Sequence, residues 1–272
     1  MNYTAVEFSV TNAEQAEQLI ALLSNEAFEG FEENELQLKA FIPELNFNEA
    51  AFKTILQLFP ELAYTKTSVE NINWNQQWEE SFEPVRVNDF VAIRAGFHQP
   101  ITNVQHEIII TPKMSFGTGH HSTTFLMIQQ MALLDFTKKS VLDFGTGTGV
   151  LAILAEKLGA NKLLAIDNDE WSITNAIENI AQNNCTKITI EQHNEIPIGD
   201  KYDIILANIN LNVITANLAS IASVCAAPCS ILFSGFLKSD ETAITAAITS
   251  VGFVVKATVQ NGNWIALLVY KA

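Results

Sequence analysis

Two acids and three glycines carry the most specific chemistry in this sequence. Residues 141–153 read VLDFGTGTGVLAI. Val141, Leu142 and Phe144 are apolar and strand-prone, Asp143 interrupts them, and Gly145, Gly147 and Gly149 turn the chain into an apolar helix over residues 150–158. Glycines at such a turn permit backbone conformations that a Cβ obstructs, and they let a ligand lie against bare peptide. The spacing is G-x-G-x-G. Dinucleotide sites use G-x-G-x-x-G, and P-loops end in a lysine that meets phosphate; neither is present here. An acid directly ahead of the turn, Asp143, repels phosphate and suits a cation. The amino group of S-adenosylmethionine, a nucleoside cofactor that has no phosphate, meets both conditions. Twenty-two residues beyond Gly145, Asp167 ends a second apolar strand over residues 163–166. A carboxylate at that place in a βαβ unit accepts the two hydroxyls of a ribose.

A second chemical segment precedes the first. Residues 112–124, PKMSFGTGHHSTT, are rich in glycine and lack a hydrophobic period, which predicts a loop lying over a ligand. Adjacent His120 and His121 point in different directions, so no metal site is expected of them. Ser122, Thr123 or Thr124 is the expected cap of an apolar helix over residues 125–134.

These residues need a scaffold, and the rest of the chain reads as one. Strand patterns at residues 163–166, 188–190, 202–207 and 230–233 alternate with helical patterns at 171–183, 211–223 and 241–249, with Asp169 placed to cap the first of these. Residues 253–260 and 264–270 read as strands joined by Asn261-Gly262-Asn263, a hairpin signal. A parallel α/β sheet closed by an antiparallel hairpin is thus expected over residues 85–272. Residues 1–66 alternate strand and helix patterns without a histidine or cysteine, the pattern of a small α+β domain of the split βαβ, ferredoxin-like type with a binding role. Residues 67–84 form a linker in which Trp74, Trp78 and Phe82 recur every four residues before Pro84 stops the pattern.

Composition sets the outer limits. The chain has 272 residues, enough for two domains, and 48% of them are hydrophobic. No run of eighteen apolar residues occurs and the first residues lack a signal-peptide profile, so a cytoplasmic protein without membrane contact is expected. Cys185, Cys225 and Cys229 are sparse and odd in number, which predicts buried thiols and no disulfide framework. The net charge of −15 is concentrated: residues 1–84 hold fifteen acids against Lys39, Lys53 and Lys66. Such a field disfavours nucleic acid and favours a basic partner.

Taken together, these motifs resemble those of class I S-adenosylmethionine-dependent methyltransferases, and more narrowly the PrmA family, bacterial methyltransferases of ribosomal protein L11. The likeness spans essentially the whole chain: the N-terminal domain, the Trp74, Trp78, Phe82, Pro84 bridge, FGTGHHSTT, VLDFGTGTGVLAI, AIDND, LANI, SGFL and NWIALLVYK. FGTGHHSTT ahead of a methyltransferase glycine loop is its specific part. The resemblance implies a Rossmann-like seven-stranded catalytic domain. It also implies S-adenosylmethionine contacts at Thr124, Gly145, Asp167 and Asn208, with Phe116, Gly117 and Thr118 bordering the same pocket beside Asp143 and Gly147. It further implies transfer of methyl groups to lysine side-chain and N-terminal amines of a basic ribosomal protein recruited by residues 1–66, with Asn208 orienting the amine. Asn208-Ile209-Asn210-Leu211 lacks the N-P-P-Y form of enzymes that methylate base or glutamine amides.

Three other functions use parts of the same pattern. A nicotinamide oxidoreductase is opposed by the glycine spacing, Asp143 and the hairpin. A methyltransferase of RNA or of a small molecule keeps the cofactor site, but the acidic N-terminal domain opposes RNA. A non-catalytic module that binds a ribosomal protein is opposed by the intact cofactor loop.

Overall fold

In the computed structural model, which describes residues 3–34, 36–69, 82–112 and 119–271, the chain divides into two compact units, Met1–Ser81 and Phe82–Ala272. Trp74 and Trp78 of the expected linker, and Phe116, Gly117 and Thr118 of the expected site, lie outside the described residues.

The first unit follows from amphipathic pairing. Strands β1 (Tyr3–Ser9), β2 (Gly30–Asn34), β3 (Gln37–Pro43) and β4 (Ala63–Val69) form an antiparallel sheet in the order β2-β3-β1-β4. Helices α1 (Ala13–Ser24) and α2 (Glu49–Gln57) cover one face. Asn12 and Asn48 cap them by accepting from backbone N–H groups in the first turn. Because β1 and β2 are each antiparallel to β3, they run parallel to one another across it, which is the split βαβ arrangement. Val6, Phe8, Leu38 and Ile42 from the sheet meet Leu19, Leu23 and Phe52 from the helices in a single core. The sequence patterns omitted β2 and β4. Neither buries a face: Glu32, Glu33 and Asn34 are exposed, as are residues 63–68. Strand β4 also runs through residue 66, where the pattern reading ends the domain.

The second unit opens with β5 (Val85–Val87), β6 (Val91–Ala95) and β7 (His106–Ile110), a small sheet in which β6 pairs antiparallel with β5 and parallel with β7. Helix α3 (Ser122–Met131) follows. The chain then alternates β8 (Ser140–Phe144), α4 (Val150–Lys157), β9 (Lys162–Asp167), α5 (Glu170–Gln182), β10 (Ile188–Gln192), β11 (Tyr202–Asn208), α6 (Leu211–Val224), β12 (Cys225–Leu237) and α7 (Glu241–Ser250), and closes with β13 (Val254–Asn261) and β14 (Trp264–Lys271). These strands build a seven-stranded sheet ordered β10-β9-β8-β11-β12-β14-β13, parallel except for β14, which is antiparallel to both neighbours. This is the Rossmann-like class I arrangement, hairpin included.

Helices cover both faces. Ile214, Leu218, Ile244 and Ile248 of α6 and α7 pack on one; Met127, Ile128, Ile153 and Leu154 of α3 and α4 pack on the other. The central strands are therefore apolar on both sides, as covered parallel strands are. From β8 the chain steps outward to β9 and β10, then returns to β11 on the opposite flank. Such a reversal opens a crevice at the C-terminal ends of β8 and β11.

Among the described residues no helix is long and apolar enough to cross a membrane. All three cysteines are free thiols; Cys225 and Cys229 are buried and Cys185 is half-buried.

Candidate active site

The crevice is a cavity of about 720 Å³. Its floor is the glycine turn, stitched to the neighbouring strand by the Gly145 and Thr146 N–H groups, which both donate to the Ile166 carbonyl at 2.9 and 3.0 Å. Gly145 has φ +76°, in the left-handed region, and a Cβ built on it would overlap the Ile209 Cγ2 methyl. A side chain is excluded there on both counts. Asp167, at the end of β9, accepts from the Gly147 N–H at 2.9 Å through Oδ2 and from the Asp169 N–H at 3.1 Å through Oδ1. Asp169 in turn caps α5 by accepting from the Ser172 N–H at 2.9 Å. Gly145, Gly147 and Asp167 all line the cavity.

The opposite wall is polar and neutral. Asn208, the last residue of β11, is 8% exposed and donates through Nδ2 to Thr124 Oγ1 at 3.3 Å. Its Oδ1 is buried with no hydrogen-bond partner among the described residues, an orphaned acceptor on a residue that lines the cavity. An unmade bond of that kind costs about 1 to 3 kcal/mol.

The cap of α3 is His121, which accepts from the Thr123 N–H at 3.3 Å through Nδ1. This corrects the expectation of Ser122, Thr123 or Thr124. The helix begins three residues earlier than its apolar period, which puts those three hydroxyls inside the first turn. The cap makes Nδ1 an acceptor and leaves the proton of the neutral ring on Nε2. The His121 ring also meets Trp264 edge-on, with centroids 4.5 Å apart, and both line the cavity. His120 is elsewhere: its Nε2 pairs with the Glu83 carbonyl at 2.9 Å and its ring packs edge-on against Phe82.

Asp143 does not line the cavity. It is 1% exposed, behind Thr146, whose hydroxyl donates to Asp143 Oδ2 at 2.6 Å, and the Ala152 N–H also favours its charged form, while Oδ1 makes no hydrogen bond of normal geometry among the described residues. Burial pushes its pKa up to about 7, the Thr146 hydroxyl opposing and the nearby Asp167 charge adding to the rise. Its strand is covered on both faces, so the alternation that turns Phe144 inward turns Asp143 inward as well. The direct contact with a ligand's cationic group expected of Asp143 is not the geometry found.

The lining includes residues that the motifs did not single out: Ile209, Gly235 and Trp264 on the Asn208 side, and Ser172, His193 and Asn194 on the Asp167 side. Ile209, Gly235 and Trp264 lie in the LANI, SGFL and NWIALLVYK segments, without a role assigned to them there, whereas Ser172, His193 and Asn194 carried no signal. Among the described lining residues Asp167 is the single carboxylate, and no lysine or arginine appears. A nucleotide phosphate would find no counter-charge here, whereas a cation would. No group of three or more histidine, cysteine, aspartate or glutamate side chains among the described residues is placed to hold a metal.

Comparison with known proteins agrees with this geometry. The family model described as ribosomal protein L11 methyltransferase (PrmA) matches residues 2–272. A ribosomal protein L11 methyltransferase from Porphyromonas gingivalis is 37% identical over 281 residues, covering 98% of this chain and 97% of that protein. One from Bacteroides fragilis is 38% identical over 257 residues, covering 92% and 91%. Among solved structures, a ribosomal protein L11 methylase from Lactobacillus delbrueckii subsp. bulgaricus superposes with a TM-score of 0.65 at 29% identity, over 69% of this chain and 98% of that one.

Proposed function

The chain belongs to the ribosomal protein L11 methyltransferase (PrmA) family, and on that premise we propose that it methylates amines of ribosomal protein L11, on lysine side chains and at the N-terminus. S-adenosylmethionine is the methyl donor. The residues present fit it: a glycine turn that a Cβ would block, a carboxylate at the end of β9, and no lysine or arginine among the described lining residues.

In this reading Asp167 accepts the ribose hydroxyls, Gly145 and Gly147 give the close backbone approach, and Thr124 and Asn208 border the methyl-bearing end. Asp143, behind Thr146, supports the loop from below. By the family resemblance Phe116, Gly117 and Thr118, which lie outside the described residues, are assigned to the same pocket. When bound, the cofactor supplies an electrophilic sulfonium methyl. The protein's own contribution is alignment of the attacking nitrogen and exclusion of water. A lysine amine with an ordinary pKa near 10.4 costs roughly 4 to 5 kcal/mol to hold neutral at pH 7. Asn208 Oδ1 accepts one amine N–H and so points the nitrogen lone pair toward the methyl group. His121 Nδ1 is committed to the α3 cap and so is not available as a base for the amine's proton.

The observation that carries this reading is the orphaned Asn208 Oδ1 on a cavity whose other end is the Gly145 and Asp167 cradle. The first unit, acidic and without histidine or cysteine, serves as the recognition module for the basic substrate, with the linker and catalytic domain following it. The test is mass spectrometry of purified ribosomal protein L11 after incubation with the enzyme and S-adenosylmethionine. Added methyl groups on lysine or N-terminal amines are expected; unmodified protein, with the cofactor bound and unconsumed, would refute the substrate assignment.

A further inference from the structure

We infer that Gly235 is a positioning residue for methyl transfer, fixing the Ile209 peptide and through it Asn208; this rests on the methyltransferase reading above. Strand β12 pairs with β11 so that Asn208 is opposite Ser234. On its other side β12 pairs with β14, Ser234 opposite Ala266 and Phe236 opposite Ile265, which leaves Gly235 as the extra residue of a β-bulge. Its φ is +99°, a conformation that L side chains rarely adopt.

The bulge brings a bare Cα against the backbone of Ile209. A Cβ on Gly235 would lie 2.6 Å from the Ile209 carbonyl carbon and 2.8 Å from its nitrogen, and closer still to its oxygen. These are backbone atoms, which cannot swing aside as a side chain can. The Ile209 N–H donates to the Ser234 carbonyl at 3.1 Å, holding the contact from the neighbouring peptide. On its far side Ile209 lays its Cγ2 methyl over the bare Cα of Gly145. One residue is thus held between two glycines, one in β12 and one in the turn after β8, its backbone against the first and its side chain against the second.

The held peptide connects Asn208, with its unpartnered Oδ1, to Asn210, which caps α6 by accepting from the Val213 N–H at 3.0 Å. Asn208, Ile209, Asn210 and Gly235 all line the cavity. Moving the Ile209 peptide moves the acceptor that orients the amine, and leaves the Asp167 end of the cofactor cradle in place. Displacements of about 1 Å in such a site cost on the order of 100-fold in rate.

The experiment is Gly235→Ala in the full chain, with cofactor affinity read by calorimetry and turnover by methyl transfer to ribosomal protein L11. The expected result is a kcat lower by about 100-fold, with the Kd for S-adenosylmethionine within about twofold of wild type. An unchanged kcat, or a loss of cofactor affinity as large as the loss of kcat, overturns the inference. Should the alanine variant be insoluble, Ile209→Gly loosens the same peptide without adding an atom. It is expected to lower kcat on the order of tenfold, by more than it weakens cofactor binding, and wild-type kcat there equally overturns the inference. A wild-type chain that binds cofactor but methylates no L11 refutes the functional reading, and this inference falls with it.

Discussion

Asp167 is set by two backbone donors before any ligand arrives, so its carboxylate does not have to be ordered on binding. Asp167→Ala should weaken S-adenosylmethionine binding by about 1 to 3 kcal/mol, the value of a lost charged acceptor. Calorimetry reads it, and an unchanged affinity removes Asp167 from the cradle. Asp143 yields a different kind of prediction. Its folded pKa of about 7 is above the ordinary carboxylate value of about 3.9, so the fold favours the protonated acid. That contribution is complete below about pH 4 and is lost as pH rises toward 7, in total roughly 4 kcal/mol. Ligand-free protein should therefore show urea midpoints that fall across this interval, and Asp143→Asn should flatten the slope. Equal slopes in the two proteins would show that Asp143 titrates normally. The sequence placed Asp143 at the right turn but not on the right side of it. Flanking Leu142 and Phe144 are both buried, and a strand covered on two faces carries no alternation from which to read direction.

At the scale of elements, α5 does more than cover the sheet. Asn179 Oδ1 accepts from the Thr111 N–H at 2.7 Å, while its Nδ2 donates to the Thr148 carbonyl at 2.8 Å and to Asn175 Oδ1 at 3.0 Å. One turn on, Asn183 accepts from the Ile109 N–H at 3.0 Å and donates to the Ile109 carbonyl. The helix thereby joins the end of β7 to the glycine turn through side-chain amides. Asn179→Ala leaves buried backbone groups unmet and should cost on the order of 2 to 4 kcal/mol in denaturant unfolding, with a larger loss of cofactor affinity than a surface change produces. A loss of under about 0.5 kcal/mol would show that water takes over both bonds. These amides were silent in the sequence, where an asparagine spacing of four reads as an ordinary helical face. Strands β2 and β4 were silent for the opposite reason, since edge strands with exposed side chains have no buried face to imprint a period. The glycine turn, Asp167, Asp169 and the terminal hairpin were legible because each is fixed by neighbours in sequence. The wall made by His121 and Trp264 is not, since its members are 143 positions apart.

For the whole molecule, the uneven charge becomes a kinetic prediction. Residues 1–84 carry a net −12 of the chain's −15. If the first unit recruits a basic protein, deleting residues 1–81 should leave cofactor binding nearly intact, because the described residues of the cavity and of the core beneath it belong to the second unit. The KM for ribosomal protein L11 should rise steeply. Raising salt to physiological strength, where the Debye length falls to about 8 Å, should slow association of the full chain more than that of the truncated one. A truncated enzyme with wild-type KM and the same salt response would reduce the acidic surface to a solubilising one.

The sheet order β12-β14-β13 has a consequence for how the protein is made. Strand β14 enters between two strands that precede it in the chain, and it alone brings Trp264 to the cavity. Translation runs from the N-terminus, so the glycine turn, Asp167 and Asn208 have all left the ribosome before the strand that completes the wall around them. Until then the flank of β12 beside Gly235 is an open strand edge, with the hazards that unpaired edges carry for a nascent chain. The site thus passes through an interval in which its cofactor cradle and Asn208 are made while the Trp264 side of the wall is missing, and that interval ends only after the synthesis of Trp264–Lys271.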